Sequence, residues 1–180
     1  MYRFNDVTIR KFTFEDIPLK IKWVNDAANN KYLHYDLPLE YEKTCKWYER
    51  ASKDDNRFDA VIEYNGEPIG LTGLLCIDTK NSKAEEYMLI GNTEYKGKGI
   101  AHKAGLLNQA YGFYKLGLNK VVAYTEIENI SALALYLKRG FSIEGILKND
   151  LILNGRKIDR YVMGSFIDEY VMPEDMFWEE

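Results

Sequence analysis

The sequence predicts an α+β architecture: one mixed, mostly antiparallel, twisted sheet of about six to seven strands flanked by about four helices. Three observations carry this. Strand-like and helix-like runs follow one another in the order β-α-α-β-β-β-α-β-α-β-β. Two Asn-Gly dipeptides, at 65–66 and 154–155, each join strand-like runs and suit the positive φ angles of a tight hairpin turn. The chain has 180 residues, 46% hydrophobic and 29% charged, so it is long enough to bury one core, and a single domain over residues 1–180 is expected.

Each element has a local reason. Val7–Lys11 alternates as a strand does, and Thr13 with Asp16 three residues on forms an acidic variant of a capping box, with Pro18 in the first turn of a helix to about Asn25. An irregular aromatic stretch, Tyr32–Leu39, precedes a second helix at Tyr41–Ala51. Asp59–Tyr64 and Ile69–Asp78 form an antiparallel pair about Asn65-Gly66, and Ala84–Ile90 continues as a strand. Gly97–Gly99 then opens a helix with Ile100, Ala104, Leu107 and Tyr111 on one face, stopping near Gly117. Lys120–Thr125 is a short strand. The helix Ile130–Arg139 ends in Lys138-Arg139-Gly140, with cations at the negative pole of its dipole and glycine at the cap. Phe141–Leu153 and Arg156–Phe166 are strands hinged at Asn154-Gly155.

Composition excludes several function classes. Apolar runs such as Leu71–Ile77 fall far short of the roughly 18–20 residues that span a bilayer, and no signal-peptide pattern opens the chain, so a cytoplasmic protein with no membrane partner is expected. Cys45 and Cys76 with two histidines supply neither a disulfide framework nor a zinc cage, and no metal is expected. The net charge is −4, but six acidic residues between Asp168 and Glu180 leave residues 1–167 at +2, which argues against a partner held through nucleic-acid phosphates.

Two segments carry chemistry. In Tyr95-Lys96-Gly97-Lys98-Gly99-Ile100-Ala101 a strand feeds a helix through a glycine turn, which lets the backbone approach a ligand and presents unpaired N–H groups to a pyrophosphate. Lys96, Lys98 and Lys103 add positive charge. A Walker loop is excluded because no Gly-Lys-Ser/Thr occurs, and a dinucleotide fingerprint because position 102 is His. Further on, Asn129 and Tyr136 lie seven residues apart, which places both on one helix face.

Together the two segments resemble the GNAT acyltransferase superfamily. Lys96-x-x-Gly99-x-Ala101 matches its phosphate-loop pattern Q/R-x-x-G-x-G/A, with Lys in place of Gln or Arg, and Asn129 to Phe141 matches its pattern N-x-x-[SA]-x-x-[LY]-Y-x-[KR]-x-G-F. The resemblance extends over nearly the whole chain and is closest to the branch acting on ribosomal-protein N-termini, polyamines and amino sugars. It implies a sheet with a splayed central strand pair and acetyl-CoA as acetyl donor and co-substrate. The implied acceptor is a primary amine of a small molecule or a peptide N-terminus, attacking the thioester directly, and a homodimer is compatible with it.

The resemblance also assigns roles. Lys96, Gly97, Lys98, Gly99, Ile100 and Ala101 hold the cofactor phosphates, Leu89 and Ile90 offer backbone groups to the pantetheine, and Asn129 contacts the same ligand. Tyr136 is the general acid for the leaving thiolate. An amine with a pKa near 10.4 must lose a proton before attacking at neutral pH. Glu85 or Glu86 is the expected base: strand alternation lets only one of them face a given side, and the resemblance favours Glu85. Trp23, Tyr35 and Asp36, aromatic faces and a carboxylate, are the substrate-side candidates, with His34 in the same stretch. His102 is read as positional. A non-catalytic acyl-CoA-binding regulatory protein is the competing reading, and Tyr136 together with a strand Glu favours the enzyme. Polyamine, peptide N-terminus, amino-sugar nucleotide and drug amine all remain open as acceptors.

Overall fold

The computed structural model describes residues 2–178; Glu179 and Glu180, two of the six C-terminal acidic residues, lie outside them. In chain order the strands are β1 (Tyr2–Phe4), β2 (Val7–Lys11), β3 (Phe58–Tyr64), β4 (Glu67–Asp78), β5 (Lys83–Ile90), β6 (Lys120–Glu126), β7 (Ser142–Leu153), β8 (Arg156–Phe166) and β9 (Met176–Trp178). The helices are α1 (Ile17–Asn25), α2 (Tyr41–Ala51), α3 (Ile100–Ala110) and α4 (Ile130–Lys138). The strands form one sheet in the order β7-β8-β6-β5-β4-β3-β2-β1-β9. Every neighbouring pair is antiparallel except β5 and β6.

The expected architecture is present, with the seven strands and four helices read from the sequence. Among the described residues the sheet has nine strands because β1 and β9, three residues each, extend one edge. Both hairpin turns form as expected: Asn65 and Gly66 have φ of 50° and 80°, and Asn154 and Gly155 have 49° and 77°. At the start of α1, the Asp16 carboxylate accepts the Thr13 N–H at 2.8 Å and also binds Arg10 at 2.8 Å, so the acidic cap is tied to β2.

Strand alternation divides the core between two layers. On one face, α3 packs Ile100, Ala104 and Leu107 against Val7, Ile9 and Ile62. On the other face, α1 and α2 cover Phe12, Val61 and Leu71. Residues 60–62 of β3 are buried on both faces, which accounts for their continuous apolar run. After α3 the helix widens into a single π turn over Tyr111–Lys115 and ends near Gly117, where φ is 67°. Among the described residues no helix is long and apolar enough to cross a membrane.

Candidate active site

Parallel pairing of β5 with β6 runs from Lys83↔Lys120 to Glu85↔Val122 and stops. Beyond that point β5 stays with β4 as far as Ile90, while β6 follows β8 to Glu126. Glycines in β4 hold β5 close: a Cβ on Gly70 would sit 2.3 Å from the Leu89 carbonyl, and one on Gly73 2.6 Å from the Tyr87 ring. The two strands diverge as the family resemblance implies, and a cavity of about 500 Å³ opens at the divergence. Glu85, Leu89, Tyr35, Asn129 and Tyr136 all line it.

Beside this gap lies the glycine turn. Gly97 and Gly99 both have φ of 78°, a conformation that side-chain-bearing residues adopt only with strain. Gly99 caps α3, and the first bonds into the helix run from His102 and Lys103 N–H to its carbonyl. The N–H groups of Gly99, Ile100 and Ala101 therefore have no carbonyl a turn earlier within the helix, and they sit at its positive end. This donor set fits a pyrophosphate. The lysines contribute less than expected: Lys96 Nζ donates to Ala28 O at 3.1 Å and Asn29 Oδ1 at 2.6 Å, and Lys103 pairs with Asp6. Lys98 rests over the Tyr95 ring at 5.0 Å.

Asn29 was not legible as part of the site. Its buried carboxamide donates to the carbonyls of Trp23 at 3.0 Å and Gly91 at 2.8 Å while accepting from Lys96, so it joins α1, the end of β5 and the glycine turn. Ile90 places its side chain against the α3 core rather than in the cavity, which leaves only its backbone for the assigned role. His102 lies on α3 with its Nδ1 buried.

The α4 wall carries Asn129 and Tyr136. Asn129 caps the helix, its Oδ1 accepting from Ala132 N–H at 3.2 Å. Tyr136 is 8% exposed, and its ring meets Phe141 edge-on with centroids 5.0 Å apart. Burial, reinforced by the charge of Glu86, pushes its phenol well above the ordinary value. The hydroxyl therefore holds its proton at neutral pH. Arg139, expected as a cation at the helix end, instead lies in the core: its guanidinium stands 4.9 Å from the Tyr136 ring centroid and 5.2 Å from that of Phe141, and donates to Glu86 at 2.6 Å. Both side chains of this ion pair are fully buried.

The two neighbouring carboxylates thus have different surroundings. Glu86 is consumed by Arg139, and burial raises its pKa against that attraction. Glu85 is half-buried and lines the cavity; desolvation raises its carboxyl above the usual range, opposed by the charge of Arg160.

Of the substrate-side candidates, only Tyr35 reaches the cavity. Trp23 is a correction: it is 4% exposed within the Phe12, Ile17 and Leu71 cluster, pressed so closely on Gly91 that a Cβ there would fall 2.1 Å from its ring. Asp36 is also a correction, being exposed and absent from the cavity lining. The rest of the cavity wall is built from residues that sequence reasoning did not group. Asp59 accepts from Arg57 at 2.6 Å and from the Tyr87 hydroxyl at 2.6 Å. Glu126 binds His34 at 2.8 Å, and Lys20 reaches in from α1. Apart from Arg57 and Asp59, two residues apart at the start of β3, these partners are distant in the chain, Tyr87 by 28 residues from Asp59 and His34 by 92 from Glu126, so local spacing could not reveal them.

Comparison with known proteins agrees with this geometry. Residues 6–142, more than half of the chain, match the acetyltransferase (GNAT) domain. The spermidine N(1)-acetyltransferase of Escherichia coli (strain K12) is 31% identical over 168 residues, spanning 93% of this chain and 89% of that protein. An uncharacterized N-acetyltransferase p20 of Bacillus licheniformis is 28% identical, with 91% and 94% covered. The crystal structure of spermidine N-acetyltransferase from Vibrio cholerae in complex with CoA and spermine is similar at a TM-score of 0.84 and 26% identity, with 92% of this chain and 98% of that chain covered. A strand pair splayed beside a glycine-capped helix, and a family match across that whole region, lead to one assignment: the chain belongs to the GNAT acetyltransferase family, and acetyl-CoA-dependent N-acetylation is its reaction.

Proposed function

We propose that the acceptor is a primary amine of a small molecule, held in the cavity between β5 and β6, with Glu85 as the proton acceptor and Tyr136 as the proton donor. One observation carries the reading: the only cavity-lining carboxylate without an ion-pair partner among the described residues and a protonated phenol with its hydroxyl unbonded share one cavity. Acetyl-CoA supplies the thioester that the amine attacks. The turn at 97–101 and the open edge of β5 at Leu89 and Ile90 are suited to hold it. Glu85 attracts the ammonium and then takes its proton; a raised pKa brings its basicity closer to the task. Tyr136 gives a proton to the departing thiolate. Asn129, already fixed as a cap, contributes its remaining amide hydrogens to the donor side.

Under this reading the enzyme works in the cytoplasm, a compartment in which the free thiols of Cys45 and Cys76 stay reduced. The name of the Escherichia coli relative puts spermidine among the acceptors to try. The deciding experiment offers a panel of amines with acetyl-CoA and follows thiol release, with mass spectrometry on the product. Acetylated amine is expected. Binding of CoA without transfer to any amine would instead favour a regulatory acyl-CoA-binding protein.

A further inference from the structure

Charged groups in the cavity wall are nearly all paired. Asp59 holds Arg57, Glu126 holds His34, Glu86 holds Arg139, and Arg160 is bound to Asp150. Among the described residues that line the cavity, one cation and one anion stay outside this pairing. Lys20 has no carboxylate within ion-pair distance, and Glu85 has no cation within it.

Lys20 is the unusual one. It occupies the buried stripe of α1 with Ile17, Trp23 and Val24, a position suited to an apolar side chain, and it is 4% exposed. Its Nζ stands 4.2 Å from the Trp47 ring centroid and 5.2 Å from that of Tyr35, and its one hydrogen bond is a long one, 3.4 Å, to the Tyr35 hydroxyl. Trp47 is shared with a second cation, because Arg57 lies 5.2 Å from the centroid of the same ring. Aromatic faces and a phenol compensate only part of what an ammonium loses on leaving water; an anion compensates much more.

We propose that Lys20 receives an anionic group on the acceptor, so that the substrate is a zwitterion: a primary amine, whose ammonium Glu85 attracts, bearing a carboxylate or a phosphate. This rests on the proposed function, with the acceptor bound in this cavity, and names its substrate class. A zwitterion satisfies both unpaired wall charges at once. A polycation satisfies Glu85 and sets like charge against Lys20.

The test compares kcat/KM at saturating acetyl-CoA for matched amines in three arms: amino carboxylates, aminoalkyl and amino-sugar phosphates, and amines without an anion, spermidine included. The wild-type protein should favour one anionic arm, and the favoured arm identifies the anion. Lys20→Met keeps the length of the side chain and should lower the ratio of anionic to anion-free kcat/KM by about 10–100-fold, mainly through KM, while Lys20→Arg retains most of it. Thermal melts of both variants confirm folding, and Lys20→Gln serves if Lys20→Met melts early. A preference for spermidine or neutral amines, or a ratio unchanged in Lys20→Met, overturns the inference and leaves the N-acetyltransferase reading standing. Absence of transfer to every amine overturns the proposed acceptor site, and the inference with it.

Discussion

Replacing Arg139 by Met tests the buried ion pair that backs the site. The pair is fully enclosed, joined by one hydrogen bond of 2.6 Å, and Glu86 Oε2 and Arg139 Nη1 have no partner among the described residues. Removing the guanidinium strands a carboxylate in the core, a change that costs about 3–5 kcal/mol. At roughly 2–4 °C per kcal/mol for a chain of this size, the melting temperature should fall by about 6–20 °C. Glu86→Leu with Arg139→Met removes both charges and should return to within about 1 kcal/mol of wild type or exceed it. The pH dependence is a second check. Burial already raises the Glu86 carboxyl, and losing its positive partner raises it further. The native state of Arg139→Met then binds a proton more tightly than the unfolded chain. That contribution is present below the unfolded pKa and is lost as pH rises through the folded one, so the variant should gain stability relative to wild type from about pH 7 to about pH 5. Urea unfolding of the four proteins of the cycle at both pH values measures all of this. A loss below about 1 kcal/mol in the single variant, additive in the double and flat with pH, would refute a coupled buried pair.

Three further outcomes concern the reaction. Tyr136→Phe keeps the ring on Phe141 and deletes the proton, so kcat should fall about 10–10³-fold with CoA affinity little changed by calorimetry; equal rates would leave Tyr136 a packing residue. Glu85→Gln should depress the rate most near neutral pH and recover partly at high pH, where the amine deprotonates itself, and a profile parallel to wild type would remove Glu85 as the base. In Gly99→Val the new Cβ meets no protein atom within 4 Å but the residue must hold φ near 78°, so the fold should survive while CoA affinity measured by calorimetry drops by at least about 10-fold; unchanged affinity would refute backbone binding of the phosphates.

Legibility in the sequence followed the range of the physical signal. Hairpins at Asn65-Gly66 and Asn154-Gly155, the α3 stripe and the glycine turn are local, so neighbouring residues reveal them. β1 and β9 are three residues each, too short to show alternation, and exist because they pair with one another and with β2. Trp23 looked available for a ligand since an aromatic side chain suits a cation and a core equally; only its contact with Gly91 decides. Arg139 misled in the same way, because a cation after a helix has an ordinary explanation in the dipole, and its partner Glu86 stands 53 residues away. Lys20 and Asn29 carried no pattern at all, since their meaning comes from groups brought together by folding.

A sheet that parts in its middle has four borders instead of two. Past Glu85 and Val122, β5 and β6 each turn a row of backbone groups toward the gap, and such rows normally invite another protein's strand and aggregation. Here the invitation is narrow. An incoming peptide would carry side chains above and below the sheet plane, into Tyr136 on one side and Trp47 and Tyr87 on the other, all of which line the opening. A chain whose amides are separated by plain methylenes, such as the β-alanine and cysteamine end of pantetheine, carries nothing above or below that plane. The same gap therefore suits an amide tether of that kind better than it suits a polypeptide.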